Sequence, residues 1–163
     1  MQARSGLPVD RLVGLDDLKT ARAGAFTFHG VAAAHPKVEH DPDGRCKFMG
    51  SVIRFGTFSI YHAGDTVFYH NMNRHFPPGG LDVALVPING DDPKRGVAGN
   101  WNGQQAAWFS HQIHARVAIP MHYEMFEFNT APPDGFAAEC ARLGQPCRVV
   151  KCGERWSSKN IQP

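Results

Sequence analysis

Leu81-Asp82-Val83-Ala84-Leu85-Val86-Pro87-Ile88 is a near-continuous apolar run broken only by Asp82. Its length and branched side chains predict a strand buried on both faces, the centre of a sheet covered by other layers. Working outward from it gives the rest of the plan. A polar loop rich in Gly, Asp and Asn follows, from Asn89 to Asn102, and Asn102 is placed to N-cap a helix over Gly103–His114. Arg116–Met121 reads as another apolar strand. Pro133–Leu143 reads as a second helix, with Gly144 just past its end, and Arg148–Lys151 as a last short strand.

On the N-terminal side the rhythm is tighter. Ala25–Ala34 predicts a strand with Phe26 and Phe28 on one face and Thr27, His29 and Val31 on the other. The turn Asp41-Pro42-Asp43-Gly44 leads to a strand near Lys47–Phe55, and Gly56-Thr57 reverses the chain into Phe58–His62. Short strands joined by tight turns form an antiparallel meander. A meander followed by alternating strands and helices predicts an α/β (α+β) fold, a mixed sheet with helices on one face. Arg4–Pro8 reads as the tail of an element already under way, and Leu12–Leu15 as a short strand.

With 163 residues, 42% hydrophobic and 20% charged, the chain has the composition of a single globular domain. No stretch reaches the ~20 apolar residues of a membrane span. The first residues lack the apolar core of a secretion signal, which points to the cytoplasm. A net charge of +2 without a basic stripe argues against nucleic acid as a partner and for a small molecule. Cys46, Cys140, Cys147 and Cys152 include no Cys-x-x-Cys pair, and are expected to be reduced, mostly packed thiols.

Nine histidines are a rich supply of metal donors. His35, Asp65 and His122 share one signature, each standing at the C-terminal end of an apolar segment. Donors at strand ends are held by a rigid sheet while their tips face a cleft. Two imidazoles and a carboxylate suit zinc or manganese, and a carboxylate can bridge two cations.

Tyr-His-Ala-Gly-Asp-Thr at 61–66, Ala-Leu-Val-Pro-Ile-Asn-Gly at 84–90 and Val-Ala-Ile-Pro-Met-His-Tyr at 117–123 carry a resemblance. In order and separation they resemble the metal-dependent hydrolases related to L-ascorbate-6-phosphate lactonase, a branch of the metallo-β-lactamase superfamily. The resemblance runs from about Leu7 to Trp156 and implies an αββα sandwich, of which this chain would supply the C-terminal half. It implies that His35 is the third histidine on one metal, Asp65 the bridging carboxylate and His122 the terminal histidine on the second. The implied chemistry is hydrolysis of a lactone or ester of a small anionic substrate by hydroxide activated between two metals.

The family's His-x-His-x-Asp-His motif is absent, since no His-x-His pair occurs in this chain. The 163 residues therefore read as one incomplete domain that holds metal weakly, with an N-terminal half-domain or a second copy as the expected partner. The rival reading is a non-catalytic half-sandwich that associates through its open apolar face.

Other candidates are weaker. His62 is expected to orient the ligands rather than bind metal. His29 lies ~20 Å of strand from His35, too far to share its metal. His111 and His114 have helical spacing but no third donor, and His40, His70 and His75 fall in polar loops. In the loop Asn89–Gly99, Asn89, Lys94 and Arg95 could meet an anionic substrate, or the loop is simply solvated. Tyr123 could donate to a developing oxyanion, or is a packed tyrosine.

Overall fold

The run at Leu81–Pro87 is a central strand, and the sheet is built around it. The computed structural model describes residues 6, 8–96 and 98–161. Six strands lie in chain order: β1 (Thr20–Ala23), β2 (Phe26–Ala32), β3 (Met49–Phe55), β4 (Phe58–His62), β5 (Leu81–Pro87) and β6 (Ala115–Met121). β1 to β4 pair antiparallel, and β4–β5 and β5–β6 pair parallel, giving the expected mixed sheet. Among the described residues the α-helices are α1 (Gly103–Gln112) and α2 (Asp134–Leu143).

Register explains how the two faces differ. His29, Val52, Tyr61, Ala84 and Ala118 align across the sheet on one face. That face meets α1, and Val52, Tyr61, Ala84 and Ala118 share a core with Ala106, Ala107 and Phe109. Trp101, fully buried, packs on Phe109 with ring centroids 4.8 Å apart. Burying side chains of this size contributes about 1.5–3 kcal/mol each. The other face carries Phe26, Phe28, Ile53, Phe55, Phe58 and Ile60 by alternation, and there Phe26 remains 45% exposed.

Asn102 caps α1 as expected. Its side chain accepts from the Gln105 backbone amide at 2.9 Å, and the Gln105 side-chain oxygen accepts from the Asn102 backbone amide at 3.0 Å. α1 stops at Gln112, two residues short of the expected end, because His114 takes a left-handed φ of 53°. His111 and His114 are therefore not a helical pair.

Two expected strands do not form. Around Leu12–Leu15 the carboxylates of the next two residues replace the ladder. Asp17 accepts from the Ala32 amide at 2.8 Å and Asp16 from Cys46 at 3.0 Å, so the sheet begins at Thr20. Over Arg148–Lys151 no ladder forms; the isolated bridge to Ala118 is made by Cys147 just before it, and the Val150 peptide is satisfied by the Tyr123 hydroxyl. The expectation for Arg4–Pro8 lies largely outside the described residues.

Candidate functional site

The ends of β2, β4, β5 and β6 converge on one edge, and close backbone approaches hold them there. Thr66, fully buried, takes the Ala34 amide on its hydroxyl at 3.0 Å, while the Val67 amide donates to the Ala34 carbonyl at 2.8 Å. The Trp101 amide donates to the Thr66 carbonyl at 3.1 Å. Asp65 is thus fixed between the segment bearing His35 and the loop before α1. The turn that delivers it passes over β3, and a Cβ on Gly50 would stand 2.6 Å from the Ala63 carbonyl oxygen.

β6 ends at Met121, and His122 takes a φ of 64°, a left-handed conformation unfavourable for a residue with a Cβ. That turn brings its Nε2 to 3.1 Å from Oδ1 of Asp65. The His122 ring is largely sheltered and its Nδ1 is buried with no hydrogen-bond partner. His35 also has a buried, unpartnered Nδ1, and its ring sits edge-on to Phe48 at 5.6 Å.

Asn100 completes the arrangement. It is 2% exposed, and its amide nitrogen donates to Asp65 Oδ1 at 3.2 Å and to Asn89 Oδ1 at 2.9 Å. Asn89, also 2% exposed, donates onward to Asn129 at 2.8 Å. A chain of buried amides therefore positions the one carboxylate at the site. Sequence reasoning missed Asn100, because an Asn in a Gly- and Asp-rich loop reads as a turn former. Its burial depends on Trp101 being drawn into the core.

The other candidates make contacts of their own. Tyr123 donates its hydroxyl to the Val150 carbonyl and accepts from the Val150 amide at 3.1 Å, which anchors the C-terminal segment. His62 Nδ1 accepts from the Gly64 amide at 3.1 Å and braces the turn before Asp65. Arg95 donates to the Asn89 carbonyl, and both line a cavity of about 380 Å³ with Asp91 and Asp92. The Lys94 side chain is exposed. His75 is no loop histidine in a polar setting; its side chain is wholly buried, 3.3 Å from Asp17 and beside the His29 ring.

A metal centre is implied by the donor types, and the residues fit it in part. The Asp65–His122 pair and the two orphaned imidazole nitrogens have the chemistry of metal donors. Among the described residues, however, no group of three or more His, Cys, Asp or Glu is placed to hold an ion. His35 does not close a set with the other two. Asp65 and His122 thus form a two-residue contact, not a closed ligand set, among the described residues.

A mixed sheet with helices on one face, and a histidine–carboxylate pair at its strand ends, fits the metallo-β-lactamase fold. The chain belongs to the β-lactamase superfamily domain family, whose model matches residues 2–123. A UPF0173 metal-dependent hydrolase of Opitutus terrae is 40% identical over 119 residues, covering 69% of this chain and 48% of that protein. Another, from Rubrobacter xylanophilus, is 34% identical over 146 residues, covering 85% and 57%. The chain thus spans about half the length of the curated relatives it matches. Among solved structures, Igni18, a metallo hydrolase of Ignicoccus hospitalis, superposes with a TM-score of 0.67 at 24% identity, covering 85% of this chain and 57% of that one. That likeness concerns the fold. No helix among the described residues is long and apolar enough to cross a membrane.

Proposed function

We propose that the chain is the ligand-bearing C-terminal part of a metal-dependent hydrolase acting on a small anionic lactone or ester. The observation that carries this reading is the 3.1 Å approach of His122 to Asp65 at the strand ends, obtained through an unfavourable backbone conformation. Strain of that kind persists where surrounding structure enforces it, and it clusters at functional sites. In this reading Asp65 and His122 hold divalent cations, zinc or manganese, with His35 contributing beside them. Asn100 holds the Asp65 carboxylate in one orientation. Arg95 or Lys94 meets the anionic part of the substrate, and Tyr123 supports the segment beyond His122. The donors that close the set come from outside these 163 residues. When bound, a divalent metal supplies a Lewis acid and lowers the pKa of water toward neutrality.

The test is to fuse or mix the chain with the N-terminal half of the Opitutus terrae relative and assay lactone, ester and phosphoester hydrolysis with zinc or manganese. Turnover that falls by orders of magnitude in His122→Ala is expected, since ligands acting as one unit fail together. A folded, metal-loaded fusion that turns over none of these substrates would replace the reading with a binding module. A second reading draws on the face bearing Phe26, Phe28, Phe55 and Phe58, whose tilted rings neighbour one another in succession. An exposed apolar sheet face favours association, and a concentration-dependent dimer in sedimentation would support it.

A further inference from the structure

Toward the edge strand β1, the sheet face that meets α1 floors a cavity of about 340 Å³, and no residue of the Asp65–His122 edge lines it. β2 and β3 supply the floor. Thr27 and Arg54 are register partners, as are His29 and Val52, so alternation points all four to that face. The 3-10 turn Met72–His75 supplies a wall, through Arg74 and His75. The His75 side chain is wholly buried, and its ring lies 5.7 Å from that of His29. Its Nε2 stands 3.3 Å from Asp17, yet neither ring nitrogen has a hydrogen-bond partner among the described residues. A buried imidazole left so is costly, because its N–H has lost water and gained no acceptor. Charge around the cavity is one-sided: its lining holds two arginines and two histidines and no Asp or Glu. The carboxylate beside His75 is already engaged, since Asp17 accepts from the Ala32 amide and from Arg74, both at 2.8 Å. The Arg54 side chain is exposed, with no ion pair among the described residues. Arg22, opposite Thr27 on β1, adds a further guanidinium to the same face.

We propose that this cavity binds a small phosphate anion, free or as a monoester, with Arg54 and Arg74 on its oxygens and the His75 ring donating to it. A guanidinium presents its N–H groups in a planar fork that matches phosphate oxygens. Arg74 uses one nitrogen on Asp17 and keeps its other N–H donors for a ligand. Burial, the largest influence on His75, holds its pKa below the ordinary 6.5, so the ring enters as a neutral donor. The anion would give its N–H the acceptor it lacks. The cavity has the size of a small-molecule site, which starts at about 300 Å³. A cation suits it poorly. Guanidinium groups repel it, and among the described residues no three His, Cys, Asp or Glu side chains are placed to hold one.

The experiment titrates the folded 163-residue chain with inorganic phosphate and, separately, with glycerol phosphate, each replacing chloride at constant ionic strength. Two-dimensional NMR follows the histidine ring signals while calorimetry reads the affinity. The expected result is saturable binding of at least one of the two, with the His29 and His75 rings shifting and His111, on α1, unmoved. Whichever anion saturates at the lower concentration tells free phosphate from a monoester. Arg54→Gln, at an exposed position, should weaken binding about tenfold and leave the unfolding midpoint unchanged. Arg148→Gln, at a separate cavity, should bind as wild type does. Shifts that never saturate with either anion would overturn the proposal, as would undiminished binding in Arg54→Gln. So would zinc chloride saturating the His29 and His75 signals where neither phosphate does. The wild-type titration decides the matter even if a variant fails to fold.

Discussion

Nε2 of His122 lies 3.1 Å from Oδ1 of Asp65, joining the end of β6 to the turn after β4 across the intervening β5. The same carboxylate oxygen accepts from Asn100 at 3.2 Å, so one atom is gripped from two elements.

If that pair is a corner of a metal centre, the isolated chain should retain well under one equivalent of zinc or manganese after dialysis, because two donors leave most positions to water. Asp65→Asn or His122→Ala should abolish the residue that remains. His111→Ala and His114→Ala should leave it unchanged, as both lie on or just past α1. Metal analysis by plasma mass spectrometry checks this, and equal losses in all four variants would discard the assignment.

Asn100→Ala removes one donor from two acceptors, leaving the buried Asn89 oxygen unsatisfied. A loss of about 1–3 kcal/mol in urea unfolding is expected. In the fused enzyme it should lower the rate without abolishing it, since the carboxylate itself is intact.

His75 predicts a pH dependence. Burial lowers its pKa from the ordinary 6.5, partly opposed by Asp17, with Arg74 and His29 adding to the lowering. Below 6.5 the unfolded chain binds a proton that the native ring resists, so ν for the unfolded state exceeds that of the native state. This contribution is fully present above 6.5 and is lost as pH falls from there toward the lowered native value. The slope is at most ~1.4 kcal/mol per pH unit. Urea midpoints measured across this range should fall less steeply in His75→Gln than in wild type; parallel slopes would refute the attribution.

Gly50→Ala should be far more damaging than Gly56→Ala. A Cβ at Gly50 meets the Ala63 oxygen at 2.6 Å and the His62 oxygen at 2.8 Å, all backbone, whereas Gly56 has open space beside it and only its φ of 58° to strain. About 1–2 kcal/mol is expected at Gly56 and more at Gly50, with the Asp65 turn displaced. Thermal melts and the metal retention of Gly50→Ala measure both effects.

Much of the fold was legible because hydrophobic period and cap chemistry are local. The run at 81–88, the Asn102 cap and Gly144 past α2 each specify their own element through forces acting within a few residues. The positions of His35, Asp65 and His122 at or just past strand ends were legible for the same reason. What lay beyond reach depends on partners distant in sequence. Asp17 takes the amide of Ala32 and stops a ladder at Leu12–Leu15, and Tyr123 satisfies Val150 where a strand was expected. Asn100 acquires its role only when Trp101 is buried. The sequence by itself determined the elements and the kinds of donor at their ends. Tertiary structure alone decided which donors meet, because a buried polar group takes whichever partner the packing brings within about 3 Å.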